Sequence, residues 1–360
     1  MCSDILQKYS SSSPLISMIG FGRNDGYSPH YMDRVRASLL HTQKLAEKHG
    51  LPIEIILVEW NPVEGDKLFV EELDDVHSSK FTTIRIITVP AKYHKGFRGA
   101  DEKGIHLLKA LNVGLRRARG QFVTPISTDV FFTDEVFEEL AANPLDKDTV
   151  YRLDRWDFKA DKEDIMRIAT QPLEALLSLV DPHVVQHHAP LDESAVKFFG
   201  MKPLHTNASG DFLLFSRERW QKLCGYDETS DAACLDGDSL MLHAVVIDGA
   251  TEKRLSDKAR VYKPVHGMMT GRKVSSTEKP WQVAMERFLW RRGMSQVAHK
   301  WLRGIFNYPK RQVNGLKGNF ASLERNYVLP IYLWTLFPST VKVGPKKWGL
   351  PGADVTEHTL

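Results

Sequence analysis

Residues 105–132 constrain this chain more than any other stretch, because a helix, a stop, a strand and a carboxylate follow one another closely. In the helical part, Leu107, Leu108, Leu111, Leu115 and Ala118 fall on one stripe, with Lys109, Arg116, Arg117 and Arg119 off it. Gly120 ends the helix, and the basic residues of its last turn suit the negative end of the helix dipole. Residues 121–126 read as a short strand, and Asp129 comes just past its C-terminal end. Thr133 then caps a further helix that opens with Asp134 and Glu135. Open α/β sheets bind ligands at the C-terminal ends of their strands, which makes Asp129 a candidate ligand. A carboxylate there can equally start a turn, and spacing alone leaves both roles open.

The chain before this point repeats the same alternation. Pro14 introduces an apolar run of strand length that breaks at Arg23-Asn24-Asp25-Gly26. Residues 31–49 are helical by pattern, with Met32, Val35, Leu39 and Leu45 inward. Residues 53–58 form a continuous apolar run, as expected of a parallel strand covered on both faces, and end in Glu59-Trp60-Asn61-Pro62. A short helix at 69–73 and a third strand at 83–89 follow. Three strand–helix alternations imply a Rossmann-like nucleotide half whose loops face the crevice of Asp129. No Gly-x4-Gly-Lys-Ser/Thr phosphate loop is present. Residues 91–104 are polar and basic, a loop in which Lys95 and Arg98 are placed either to meet phosphate or simply to be solvated.

Beyond Asp129, residues 149–158 read as one strand with a polar face, on which Arg152, Asp154, Arg155 and Asp157 build an ion-pair network. Residues 161–180 have the pattern of an amphipathic helix. His183, His187 and His188 lack a Cys or Glu at ligand spacing and are expected as surface histidines. Asn207-Ala208-Ser209-Gly210-Asp211 opens an apolar strand at 212–215, and Asp236-Gly237-Asp238 precedes an apolar helix, where acids compensate the dipole. Residues 261–268 form a strand leading to His266.

The segments ALNVGLRRARG, YRLDRWDF, TNASGDFLLFSRERW and DGDSL, in that order over residues 15–270, resemble bacterial glycosyltransferases of the GT-A fold, family 2 type. The resemblance implies an α/β fold with a nucleotide-sugar half (15–135), an acceptor half (136–270) and a mixed central sheet. It implies hexosyl-type transfer from a nucleotide diphosphate-sugar to a glycan or lipid-linked acceptor. Donor binding would fall to Arg23 (phosphate), Asn24 and Asp25 (base), Glu59 (ribose or base N–H), Asn112 and Asp129. Asn207, Gly210 and Asp211 would line the sugar and acceptor pocket, although Asn207 serves equally as a cap or turn residue. Asp238 would be the general base, although Gly237 stands where a glutamate is usual, and Asp236, two residues away, is the competing candidate. Asp129 and His266 would hold a divalent cation, Mg or Mn, although a solvent-side histidine is also a reading of His266. Ser127 replaces the first acid of the usual Asp-x-Asp, so that ion would lean on diphosphate oxygens and water.

Charge divides the chain. Residues 271–360 carry 15 Lys+Arg against 5 Asp+Glu, hence +10, while residues 1–270 carry −7. After the polar lead of residues 1–14, then, the resemblance implies a glycosyltransferase domain over 15–270, and a basic, aromatic and helical extension is expected to follow it. Trp281, Trp290 and Trp301 among its basic residues suit peripheral contact with a membrane or packing onto the core. Nucleic acid is not expected as a partner, given the acidic remainder of the chain. Cys2, Cys224 and Cys234 cannot all pair with one another. Neither a signal peptide nor a spanning segment is apparent, so a cytoplasmic location is expected, at the inner membrane face if the tail docks. Two other readings stay open: a sugar nucleotidyltransferase, and a glycan-binding relative without catalysis.

Overall fold

A computed structural model describes residues 14–26, 28–97, 100, 104–190, 204–228, 237–265 and 336–360. In chain order the elements that carry the argument are β1 (Ile16–Gly22), α1 (Tyr31–His49), β2 (Ile53–Trp60), β3 (Thr82–Val89), α2 (Leu107–Arg117), β4 (Phe122–Pro125), β5 (Phe131–Phe132) and α3 (Asp134–Ala142). They continue with β6 (Thr149–Arg152), β7 (Asp154–Phe158), β8 (Val184–His188), β9 (Phe215–Ser216), α4 (Arg217–Leu223), α5 (Gly237–Ile247), β10 (Thr251–Arg254), β11 (Arg260–Pro264) and β12 (Thr356–Thr359).

The main sheet runs β12-β3-β2-β1-β4-β9, with β3, β2, β1 and β4 parallel and both outer strands antiparallel. The α/β class and the mixed central sheet expected from the sequence are therefore present. β2 is buried at every position because its two faces serve two cores. Ile55 and Leu57 pack with Val35 and Leu39 of α1, while Ile56 and Val58 pack with Leu111 and Leu115 of α2. This alternation is the period of two expected of a pleated strand. Gly114 lets α2 lie close to the sheet, since a Cβ there would stand 2.4 Å from Ile19 Cγ2.

The second half carries a four-stranded sheet, β5-β11-β7-β8, and a β10-β6 pair. Here the expected elements are shorter than their sequence patterns. The strand of 149–158 breaks at Leu153, sending β6 and β7 into different sheets. The helix of 161–180 splits into Lys162–Thr170 and Leu176–Val180, because Pro172 cannot continue it. Residues 209–211 form a single 3-10 turn, and only Phe215–Ser216 of the apolar run that follows is strand.

The tail was expected as a helical extension; its residues 271–335, with Trp281, Trp290 and Trp301, lie outside the described ones. Its last part returns to the main sheet, where Trp348 is buried and β12 lies antiparallel beside β3. Among the described residues no helix is long and apolar enough to cross a membrane.

Candidate active site

The first group is a rim made by the loops after β1 and β2. Arg23 Nε donates to the Asn61 carbonyl at 2.6 Å, and its Nη1 pairs with Asp25 at 3.2 Å. Asn24 Nδ2 donates to the Lys67 carbonyl at 3.2 Å, and Asn61 Nδ2 to that of Gly104 at 3.1 Å. Arg23, Asn24 and Asp25 are thus brought together on one partly exposed edge. Glu59 is not on it. Its carboxylate is fully buried, accepting from the Phe69 amide at 2.9 Å and the Thr88 hydroxyl at 2.9 Å. Burial pushes its pKa up in spite of those bonds. Asn112 is likewise turned inward. It clamps the backbone of Tyr226 through both amide atoms, at 2.8 and 2.9 Å, and reaches Glu228 at 2.8 Å.

The second group is a charged cluster at the end of β4. Asp129 is buried and receives Arg34 Nε of α1 at 3.0 Å. Arg34 also ties Ser28, and Tyr31 Oη lies 2.9 Å from Thr128 Oγ1, so the loop into α1 is stitched to the turn after β4. Asp211 is buried beside Ser127, Arg155 and Lys263. Burial alone raises its carboxyl pKa, but the charges of Lys263 and Arg155 outweigh that and hold it well below the usual range. Lys263 Nζ donates to Ser127 Oγ at 2.7 Å and stands 3.5 Å from Asp211 Oδ1.

A third group meets this cluster through the turn at 209–211. Ser209 Oγ donates to Asp238 Oδ2 at 2.9 Å, and a Cβ on Gly210 would lie 3.3 Å from the same oxygen. Asp238 sits in the first turn of α5, where the helix dipole favours an anion. Residues 209–211 therefore touch a carboxylate at one end and the Ser127–Lys263 cluster at the other. Arg152, wholly buried, supports the turn from below by donating to the carbonyls of His205 and Asn207, both at 3.0 Å. Its pKa falls to about 10 through burial, against the pull of Glu252, Asp238 and Asp211. Asn207 is buried and bonds to Ala189 at 3.1 Å, a turn-holding role. Asp236 and His266 lie outside the described residues.

The expected network of the 152–157 stretch divides in two. Asp154 accepts from Arg254 at 2.8 Å through both oxygens, from His187 at 2.7 Å and from His205 at 3.0 Å. Asp157 meets Arg155 at 2.8 Å and His188 at 2.8 Å. Arg152 belongs to neither ion pair. Of the histidines expected at the surface, His183 and His187 are exposed, but His188 is buried by these partners.

No family model matches the chain, and no curated protein matches it. Among solved structures it is similar to the catalytic domain of Drosophila beta1,4-galactosyltransferase 7 in complex with xylobiose, at 11% identity and a TM-score of 0.33. That match covers 66% of this chain and 63% of the other. It is similar to residues 1–349 of S. aureus TarS at 13% identity and TM-score 0.40, covering 89% and 78%. A third is the galactosyltransferase LgtC in complex with donor and acceptor sugar analogues, at 13% and 0.30, covering 57% and 59%. The chain spans less than two thirds of the first and third of these. Likenesses this distant transfer no activity.

The described residues do not fit the expected divalent cation. Its proposed ligand Asp129 is held by Arg34, and Asp211 by Arg155 and Lys263. Among the described residues no group of three or more His, Cys, Asp or Glu is placed to hold a metal ion. Arg34, Ser209 and Lys263 were not singled out as site residues from the sequence. For Lys263 a signal existed, its place in the strand leading to His266. For Arg34 there was none, since its partner lies 95 residues away.

Proposed function

We propose that this chain transfers a sugar from a nucleotide diphosphate-sugar to a hydroxyl of a glycan or lipid-linked acceptor, with Asp238 as general base. The observation that carries this reading is the 209–211 turn. It brings the Asp238 carboxylate and a fixed ammonium, Lys263, to opposite ends of one short segment. The two charges suit the two ends of a single displacement. The acceptor O–H gives its proton to Asp238 as its oxygen bonds to the anomeric carbon. The bond from that carbon to the donor diphosphate breaks, and its electron pair leaves with the nucleoside diphosphate. Attack opposite the leaving group inverts the anomeric centre. The partly exposed rim of Arg23, Asn24 and Asp25 is where base and ribose would rest. The sequence motifs of residues 15–270 support the same assignment.

A positioned carboxylate base contributes ~10²–10⁴-fold in rate. Asp238→Asn keeps the shape but cannot take the proton, so turnover is expected to fall by that factor while donor affinity holds. Nucleoside diphosphate release from a panel of nucleotide sugars, with candidate acceptors, measures the first; calorimetry measures the second. Release of pyrophosphate from a sugar phosphate and a nucleoside triphosphate would instead identify a nucleotidyltransferase. Unchanged turnover in Asp238→Asn, or retention of configuration by proton NMR, removes Asp238 from the role.

A further inference from the structure

At the place where a divalent cation was expected, the chain supplies a cation of its own. The carboxylates around the end of β4 are each matched by a base: Asp129 by Arg34, Asp211 by Arg155 and Lys263, and Asp157 by Arg155 and His188. The Asp129–Arg34 and Asp211–Arg155 pairs are almost wholly withdrawn from solvent. A hard divalent ion needs several oxygen ligands, carboxylates among them. To recruit Asp129 or Asp211 it would have to share a carboxylate on which a buried basic side chain already depends, which weakens that buried pair.

Lys263 is placed differently from the two arginines. The β11–β5 register sets Tyr262 opposite Phe131, so Lys263 lies alongside the turn that follows β4. An ammonium has three N–H donors. Ser127 takes one at 2.7 Å and Asp211 lies at 3.5 Å; among the described residues the third has no acceptor. Ser127 is also the position where the Asp-x-Asp pattern carries its first acid. A second carboxylate there would add to the negative charge that Asp211 already sets beside the lysine, whereas a serine hydroxyl accepts its hydrogen bond and adds none.

We propose that Lys263, oriented by Ser127 and Asp211, binds the donor diphosphate directly, so that nucleotide binding does not depend on a divalent cation. This rests on the reading of the donor as a nucleotide diphosphate-sugar. In the transfer itself Lys263 meets the negative charge that develops on the leaving diphosphate.

Calorimetry on the full chain, with each common nucleoside diphosphate, in EDTA and then with Mn²⁺ or Mg²⁺, tests it. At least one nucleotide is expected to bind in EDTA as tightly as with metal. A hydrogen bond to a charged group corresponds to about 10- to 100-fold in affinity, the loss expected for Lys263→Gln in both buffers. Lys263→Arg is expected to retain most of the binding. Should Lys263→Gln fail to fold, the EDTA comparison on the unaltered chain and the Lys263→Arg variant still decide. Binding that requires metal, or that is untouched in Lys263→Gln, overturns the inference and leaves the donor reading standing. No binding of any nucleoside diphosphate in either buffer overturns both.

Discussion

Arg34 and Asp129 stand 3.0 Å apart with 7% and 4% of their side chains exposed, so each charge depends on the other for its solvation. Removing one partner of a buried pair leaves the other uncompensated, at a cost of about 3–5 kcal/mol. Asp129→Ala is therefore expected to lower the urea midpoint sharply, and Arg34→Met combined with Asp129→Leu to recover most of the loss. Equal stability of the single and double variants would show that the pair is not the source of the effect. The same contact explains what was legible at this scale. Asp129 was visible as an acid at a strand end because its neighbours in sequence form the strand. Its partner was not, because a charged residue within a helix pattern reads as solvated until the tertiary fold buries it. Glu59 and Asn112 show the complementary effect. Polar residues at a strand end or within a helix beside the expected crevice suggest ligands, yet buried backbone groups also need partners, and here Phe69 and Tyr226 take them.

At the level of elements, β1, β2 and α2 were readable because burial on one or both faces imposes a period or an unbroken apolar run. β12 was not, since Thr-Glu-His-Thr is exposed at every position and carries no hydrophobic signal. Its role lies in backbone pairing along the edge of β3, with Glu357 meeting Arg85 at 2.7 Å and Arg119 at 3.2 Å. Trp348 anchors this return. It is buried against Gly225, with the Arg116 guanidinium 5.3 Å from its ring, while Arg117 holds the carbonyls of Gly349 and Leu350 at 2.8 and 2.9 Å. Gly349 in turn donates to Glu228 at 2.7 Å, joining the tail to the segment that Asn112 clamps. Trp348→Ala is expected to cost about 3–5 kcal/mol, the range for a fully buried tryptophan. The β3 amides that bond to β12 along Arg85–Thr88 should then exchange faster, because an uncovered edge strand loses its outer hydrogen bonds. Unchanged exchange along β3 in this variant would separate the tryptophan from the strand it is argued to hold.

For the whole molecule, three of the buried histidines are expected to make stability depend on pH. Burial lowers the pKa of His41, His205 and His243 from 6.5 to about 4 in each case. Backbone Phe132 supports the charged form of His41, and Asp154 that of His205, but neither offsets burial. His205 sits 3.0 Å from Asp154 through Nε2 while its Nδ1 has no partner among the described residues, the arrangement of a neutral ring carrying its proton on Nε2. A folded pKa below the unfolded one means that the unfolded chain binds more protons between those two values. The stabilisation is thus complete above pH 6.5 and is lost as the pH falls toward 4. Each histidine contributes up to about 3 kcal/mol by linkage, and the three together a slope of up to about 4 kcal/mol per pH unit. Glu59 and Glu228, both raised by burial, oppose this fall between their raised values and 4.5. Asp154 and Asp211, both lowered, deepen it only below 3.8. Urea midpoints at constant ionic strength should therefore be level from pH 8 to about 7 and fall steeply from 6.5 to 4.5. His243→Leu removes one titrating group, so its slope should be about a third smaller whatever its midpoint at neutral pH. A midpoint that stays level down to pH 4.5, or a His243→Leu slope equal to the wild type's, would rule out buried histidines as the cause.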